Sequence, residues 1–346
     1  TVTDRLLQQC IAQWLNPQYE EEFSNYSYGF REGRNAHQAV LQAQQNLNEG
    51  YGWVIELDLE KFFDKVNHDK LMGLLAKKIS DKRILKLIRS YLNSGIMEDG
   101  VVTARTEGTP QGSPLSPLLS NVVLNELDKE LEARGHRYVR YADDCSIYVK
   151  SEKSAQRVME SITDYIEKKL KLKVNRTKSK VSRPQDSVLL GFSFYSSKEG
   201  WQVRIAPKSL DKIRKKMKEQ TKRNDPSPAK EKIKKMEAVI RGWVNYFAIA
   251  RGKKKMQELD ELVRTRLRMG IWKQWKKPKT KRIHLIKLGI PKPKAYEWSN
   301  SRKGFCRIAH SPILCRALNN EYFTRLRYIG FTNYYYWKTE HQLKLF

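Results

Sequence analysis

Cysteine is scarce in this sequence, and its four copies, Cys10, Cys145, Cys306 and Cys315, never stand at C-x-x-C spacing. That pattern argues against a disulfide framework or a cysteine zinc site and suits a reducing compartment. Long apolar runs are missing too: none approaches the roughly 18 residues of a membrane-spanning helix. The opening residues, "TVTDRLLQQC", carry no basic n-region, so no secretory leader is expected. Acids are the third shortage. Against 67 Lys and Arg stand only 38 Asp and Glu, a formal net charge of +29. Such an excess calls for a polyanionic partner, and without a spanning segment nucleic acid is favoured over a membrane surface. The expectation is a cytoplasmic, nucleic-acid-associated protein. A hydrophobic share of 40% still allows a proper core, and 346 residues leave room for two or three domains.

Residues 201–300 hold 30 Lys and Arg against 9 Asp and Glu, so +21 of the total charge lies in that block. The first two hundred residues mix helix and strand signals. "TDRLLQQCIAQWLNPQYEEEF" predicts a helix capped by Thr3, with Leu6, Leu7, Ile11, Trp14 and Leu15 on its apolar side. "WVIELDLEKFF" predicts a strand. "HDKLMGLLAKKI" and "KRILKLIRSYLNSG" predict helices, as does "SPLSPLLSNVVLNELDKELEARG" up to Gly135. "RYVRYADDCSIYVKS" predicts a strand, a tight turn and a strand. An amphipathic helix, a short strand "LKVN", and a second hairpin near Gly200 follow. Beyond Pro207 the pattern is helical and basic, broken by "RNDPSP".

Two adjacent acids, Asp143 and Asp144, sit at the tip of the first hairpin, and Asp58 lies among strand-like residues. Three carboxylates on neighbouring strands repel one another strongly unless cations stand between them. Mg²⁺ prefers hard oxygen ligands and is held by one or two carboxylates plus substrate phosphates. A pair of such ions clamps the attacking and leaving oxygens of a phosphoryl displacement. Sequence alone does not bring Asp58 to Asp143, and "ADD" by itself also fits an ordinary polar turn. "TPQGSPLSP" joins a small-residue loop to a helix start, where Gly112 permits close backbone approach and the helix N-terminus favours phosphate.

With these pieces in order, the chain resembles the bacterial group II intron-encoded reverse transcriptases (maturases) of the endonuclease-lacking type. The resemblance rests on "SYGFREGRNAHQAV", "WVIELDLEKFFDKVNHDKL", "EGTPQGSPLSPLLSNVVLNELDKEL", "RYADDCSIYVKS", "LKLKVNRTKSKV" and "LLGFSFY", followed by "VIRGWVNYFAIA" and "RLRMGIWKQWKKPKTKR". It implies an α+β fold, a right-hand polymerase palm of antiparallel sheet and helices. Partial fingers over 1–50 precede a palm over 51–206, a basic all-α thumb over 207–283 and a small DNA-binding-like extension over 284–346. The family places further finger residues ahead of a "TVTDR"-like segment, which is where this chain begins.

The same resemblance implies roles. Asp58, Asp143 and Asp144 are the catalytic, metal-binding acids for two Mg²⁺ ions, with Mn²⁺ as a substitute. Phe63 matches the gate that excludes a 2′-hydroxyl. Gln111, Gly112, Lys178 and Arg31 are expected near the incoming deoxynucleotide, with Gly29 and Phe30 beside Arg31 in the fingers, and Asp64 is given a structural role. Arg241, Lys253, Lys254, Lys255, Arg264 and Arg268 are expected to bind nucleic acid. Trp243, Tyr246 and Phe247 suit a thumb core, whereas Tyr334, Tyr335, Tyr336 and Trp337 fit packing and base stacking equally. The implied activity is RNA-directed DNA synthesis. The implied partners are a group II intron RNA, an RNA template with a DNA primer, and a target DNA. A second reading is an RNA-binding maturase whose palm serves as a scaffold.

Overall fold

The computed structural model describes residues 2–94, 96–98, 101–103, 107–110 and 112–343. Two compact units divide the chain, residues 1–203 and 204–346, and the boundaries expected near 50 and 283 lie inside them.

In the first unit the order is α1 (Val2–Glu20), α2 (Ala36–Asn48), β1 (Trp53–Leu57), α3 (Phe62–Lys65), α4 (His68–Leu75), α5 (Lys82–Asn93), β2 (Ile96–Glu98), β3 (Val101–Thr103) and α6 (Ser116–Ala133). Then come β4 (Arg137–Tyr141), β5 (Asp144–Val149), α7 (Glu152–Tyr165), β6 (Lys180–Ser182), β7 (Phe192–Ser197) and β8 (Gly200–Ile205). The central sheet is antiparallel with strand order β4-β5-β1-β6. Helix α7 packs against β1, β5 and β6, α2 packs against β4, and β4 is also met by α6. In α6, Leu118, Leu119, Val122, Val123, Leu124, Leu127 and Leu131 are buried together with the polar Ser120, Asn121, Asn125 and Asp128, so this helix is buried nearly all round and lies inside the unit. Each of the apolar side chains contributes about 1.5–3 kcal/mol on burial.

Three expectations change. Helix α1 already starts at Val2, so Thr3 is inside it and is not the cap. Its buried stripe is Gln8, Ala12, Leu15 and Tyr19, while Leu6, Leu7 and Trp14 are exposed. On that inward face Ser113 Oγ donates to Gln8 Oε1, which gives the buried amide a partner. The segment "LKVN" forms only one bridge, Val174 to Leu59, and the edge strand of the sheet is β6 instead.

Past the end of β8 the second unit is all-α among the described residues: α8 (Pro207–Gln220), α9 (Ala229–Phe247), α10 (Lys253–Gln274), α11 (Pro278–Lys287), α12 (Lys292–Ser299), α13 (Phe305–Ala309), α14 (Pro312–Ala317), α15 (Asn320–Arg325) and α16 (Phe331–Leu343). Its core meets at Ile233, Met236, Ile240 and Val244 of α9 and Met256, Leu259, Val263 and Leu267 of α10, spaced three and four apart. Asp260 of α10 is buried and caps α16. It accepts hydrogen bonds from Tyr328 Oη at 2.7 Å and from the backbone N–H groups of Phe331 and Thr332 at 2.8 and 2.9 Å. Asp260→Ala strands two buried donors and a third that is partly buried, so a loss of about 2 kcal/mol or more is expected. Calorimetry of the whole chain should show a lower transition temperature, and an unchanged one would contradict this role for the cap.

Candidate active site

Strand register places the acids. Leu57, the last residue of β1, pairs with Cys145 of β5, so Asp58 and Asp144 are the next residues outward on neighbouring strands. Strands β4 and β5 close with Tyr141 opposite Asp144, leaving Ala142 and Asp143 as a two-residue turn. Ala142 takes a left-handed φ of 57°, which such turns require at a central position. Asp58 is held from its other side: its N–H donates to Ser179 Oγ at 3.0 Å and its carbonyl accepts from the Asn175 N–H at 2.8 Å.

The three acids act on one another. Asp144 keeps a solvent-reachable side chain, yet its pKa is raised, first by the protein crowded around it and then by the charges of Asp143, Asp58 and Glu56. Lys178 pulls in the opposite direction, and its Nζ lies 3.6 Å from Asp58 Oδ2. A turn organised by Asn175 presents that lysine: Asn175 Oδ1 accepts from Thr177 Oγ1 at 2.7 Å, and the Lys178 N–H donates to the Asn175 carbonyl. Asp58, Asp143, Asn175 and Lys178 all line an open cleft of about 650 Å³.

Phe63 lines the same cleft. Lys61, with φ of 46°, turns the chain into α3, so that Phe62 enters the core and Phe63 stays half-buried. The Phe63 ring meets the edges of Phe62 and Phe30 at centroid distances of 5.4 and 6.4 Å. Its carbonyl accepts the Thr109 N–H at 2.6 Å, which fixes residues 108–110 beside it. Gly108 allows that contact: a Cβ there would lie 2.8 Å from the Asp64 backbone. His68 Nε2 stands 2.6 Å from the Gly108 carbonyl. Gly112 is exposed with φ of 82° and open space around it. Gln111 lies outside the described residues.

Several basic residues lie elsewhere than expected. Arg31 is turned into the fold. It pairs with Glu20 at 2.6 Å and donates to the carbonyls of Ser24 and Ser27, so it anchors the loop that leads to α2. Arg268 is buried too, donating to the Leu318 carbonyl at 3.0 Å, and burial lowers its pKa. Both arginines found backbone acceptors inside, which sequence does not reveal. The remaining thumb cations are accessible to differing degrees. Lys254 is exposed, Arg264 is half-buried, and Lys255 pairs with Glu258 at 2.8 Å. Arg241 and Lys253 lie over the rings of Tyr334 and Tyr336 at 5.0 and 5.3 Å. Phe247 is buried against Trp243 and Tyr246. Tyr334 is buried as well and hydrogen-bonds Asn245, whereas Trp337 is 49% exposed.

Sequence reading missed Arg140, Asn121 and Ser179. The signal for Arg140 was present, a charge within the short strand "RYVRY", where burial demands a partner.

Residues 1–194 match the family described as reverse transcriptase (RNA-dependent DNA polymerase), and residues 210–288 match the group II intron, maturase-specific domain. The chain belongs to the reverse transcriptase family, and its first unit has the α+β palm-and-fingers fold of that family. It is 33% identical over 224 residues to Protein YkfC of Escherichia coli (strain K12), covering 54% of this chain and 59% of that one. It is 28% identical over 265 residues to Group II intron-encoded protein LtrA of Lactococcus lactis subsp. cremoris, covering 58% and 44%. The chain thus spans about half the length of these curated relatives. Among solved structures, the partial Cas6-RT-Cas1–Cas2 complex is 31% identical over 48% of this chain and 31% of its own, with a TM-score of 0.31.

Reverse transcriptases use divalent metal ions. Among the described residues no three His, Cys, Asp or Glu side chains form a ready-made metal cage. The donor set nonetheless fits Mg²⁺, which needs only one or two carboxylates when phosphates complete its shell. The pKa of Asp144 is raised first by burial and then by the like charges of Asp143, Asp58 and Glu56, and a cation would relieve the second of these. The sign has a consequence for stability. A carboxyl raised by the fold stabilises below its unfolded pKa of about 3.9, and that contribution is lost as pH rises through the raised value. Asp144→Asn should therefore raise the melting temperature of the metal-free protein at pH 7, with the gain disappearing near pH 3. A variant that melts lower at pH 7 would count against a carboxylate made unfavourable here by burial and like charge together.

Proposed function

We propose that this chain is an RNA-directed DNA polymerase of the group II intron type. The observation that carries the reading is the convergence of Asp58 and Asp143 with Phe63 and Lys178 on one cleft, with Asp144 beside them on the next strand position. Two Mg²⁺ ions held there would activate the primer 3′-hydroxyl and stabilise the departing pyrophosphate. Asp58 and Asp143 would hold the ions, with Asp144 in support. Lys178 neutralises charge near the leaving phosphates. Phe63 closes the wall against a 2′-hydroxyl, and Gly112 lets its backbone approach the nucleotide. Gln111 joins that set by its place in the "TPQG" motif. The substrates are a deoxynucleoside triphosphate and an RNA template with a DNA primer.

For the second unit we propose binding of intron RNA, with Lys253, Lys254, Lys255, Arg241 and Arg264 among the contacts, and assistance to its splicing. The maturase-specific match over residues 210–288 supports this. A-form RNA is recognised by shape, phosphates and 2′-hydroxyls, which suits a cationic helical surface. A target DNA is the third proposed partner, contacted by the basic residues of 284–346. No described helix is long and apolar enough to cross a membrane.

Primer extension on an RNA template tests the polymerase reading. Asp143→Ala should abolish the product while RNA affinity stays within about twofold, since binding rests on phosphate contacts elsewhere. Extension by the variant at the wild-type rate would sink the assignment. Phe63→Ala should raise ribonucleotide incorporation at least about tenfold, and unchanged sugar selectivity would remove Phe63 as the gate.

A further inference from the structure

Beneath the acid turn lies a buried polar network that no contact with substrate explains. Arg140 is fully buried on β4, three residues before Asp143. Its Nε and Nη2 meet both carboxylate oxygens of Asp128 at 2.5–3.1 Å, and Asp128 is also fully buried. The Nη1 group donates to Asn121 Oδ1 at 3.0 Å and to the Ala142 carbonyl at 2.9 Å. Asn121 in turn donates to the Gly29 carbonyl at 2.8 Å. Gly29 presses on the same turn from the other side: a Cβ there would stand 2.2 Å from the Ala142 nitrogen. Ala142 is therefore held at its carbonyl by Arg140, while the Gly29 backbone packs closely against its nitrogen. It needs that grip, because its left-handed φ is unfavourable for a residue with a side chain.

We infer that Arg140 is a positioning residue, which with Asn121 and Gly29 locks the Ala142–Asp143 peptide and so sets where the Asp143 carboxylate can hold a divalent ion. This rests on the polymerase reading given above. The effect is geometric. Asp128 neutralises the guanidinium locally, and the cation that acts on Asp144 is Lys178. A lysine cannot replace the arginine here, since only the planar fork reaches Asp128, Asn121 and Ala142 together.

The test uses Arg140→Lys and, because a buried pair is at stake, the milder Asn121→Ala, which leaves the pair with Asp128 in place. Binding of Mn²⁺ by the full chain with template–primer is measured by electron paramagnetic resonance, alongside duplex affinity and the Mg²⁺ dependence of extension. The folded variants should bind Mn²⁺ about tenfold more weakly and need correspondingly more Mg²⁺, as expected for loss of a partner that orients a metal ligand. Duplex affinity should stay unchanged. Either variant folding with wild-type Mn²⁺ affinity overturns the inference, even if its thermal stability falls. Failure of the wild-type protein to extend a primer would instead overturn the polymerase reading, and the Mn²⁺ titration would still decide the role of Arg140.

Discussion

Repulsion among Asp58, Asp143 and Asp144 is the constraint around which the first unit is arranged. The strand ends that carry them are fixed by antiparallel register, and the register is fixed by buried residues such as Ile55, Leu57, Cys145 and Ile147. A slip of one residue would turn every side chain of β1 or β5 to the opposite face. Hydrophobic burial therefore keeps together charges that would separate in a freer chain. The Asp128–Arg140 pair does the same for the turn. Burial alone pushes the Asp128 carboxyl's pKa upward, but an arginine beside it cannot lose its proton, so the charged pair is the state the geometry supports. Breaking such a pair from one side costs about 3–5 kcal/mol.

The excess of positive charge answers the same constraint from outside. A chain with formal net charge +29 attracts a polyanion at long range, and a polyanion brings phosphates to the few places where carboxylates stand. Carboxylates facing phosphates would repel without metal between them. In the proposed reaction the cleft is a place where protein and substrate would both be negative, and divalent ions would bridge them because neither partner alone completes their shell.

Much of this was legible in the sequence. The alternation in "RYVRYADDCSIYVKS" marks a hairpin with its acids at the tip, and the apolar spacing of α6 marks the helix behind it. What spacing did not supply was the closeness of Asp58 to Asp143, which depends on pairing between strands 85 residues apart; there the resemblance led. The edge strand β6 is only three residues long, too short for alternation to register, whereas "LKVN" alternates because Leu172 and Val174 are buried in the core. Helix α1 misled because its most apolar stripe is not its packed one. Arg31 and Arg268 misled for a different reason. Arginine is seldom fully buried, so composition assigns it to the surface, and only the backbone carbonyls around it reverse that expectation.

The most direct measurement is a count of the ions. Mn²⁺ titrated into the protein with an RNA–DNA template–primer and a non-hydrolysable deoxynucleotide should bind in two equivalents at the cleft, and Asp58→Asn should remove at least one of them. Equal binding by wild type and Asp58→Asn would contradict the account, because the three acids would then have no shared cation to hold.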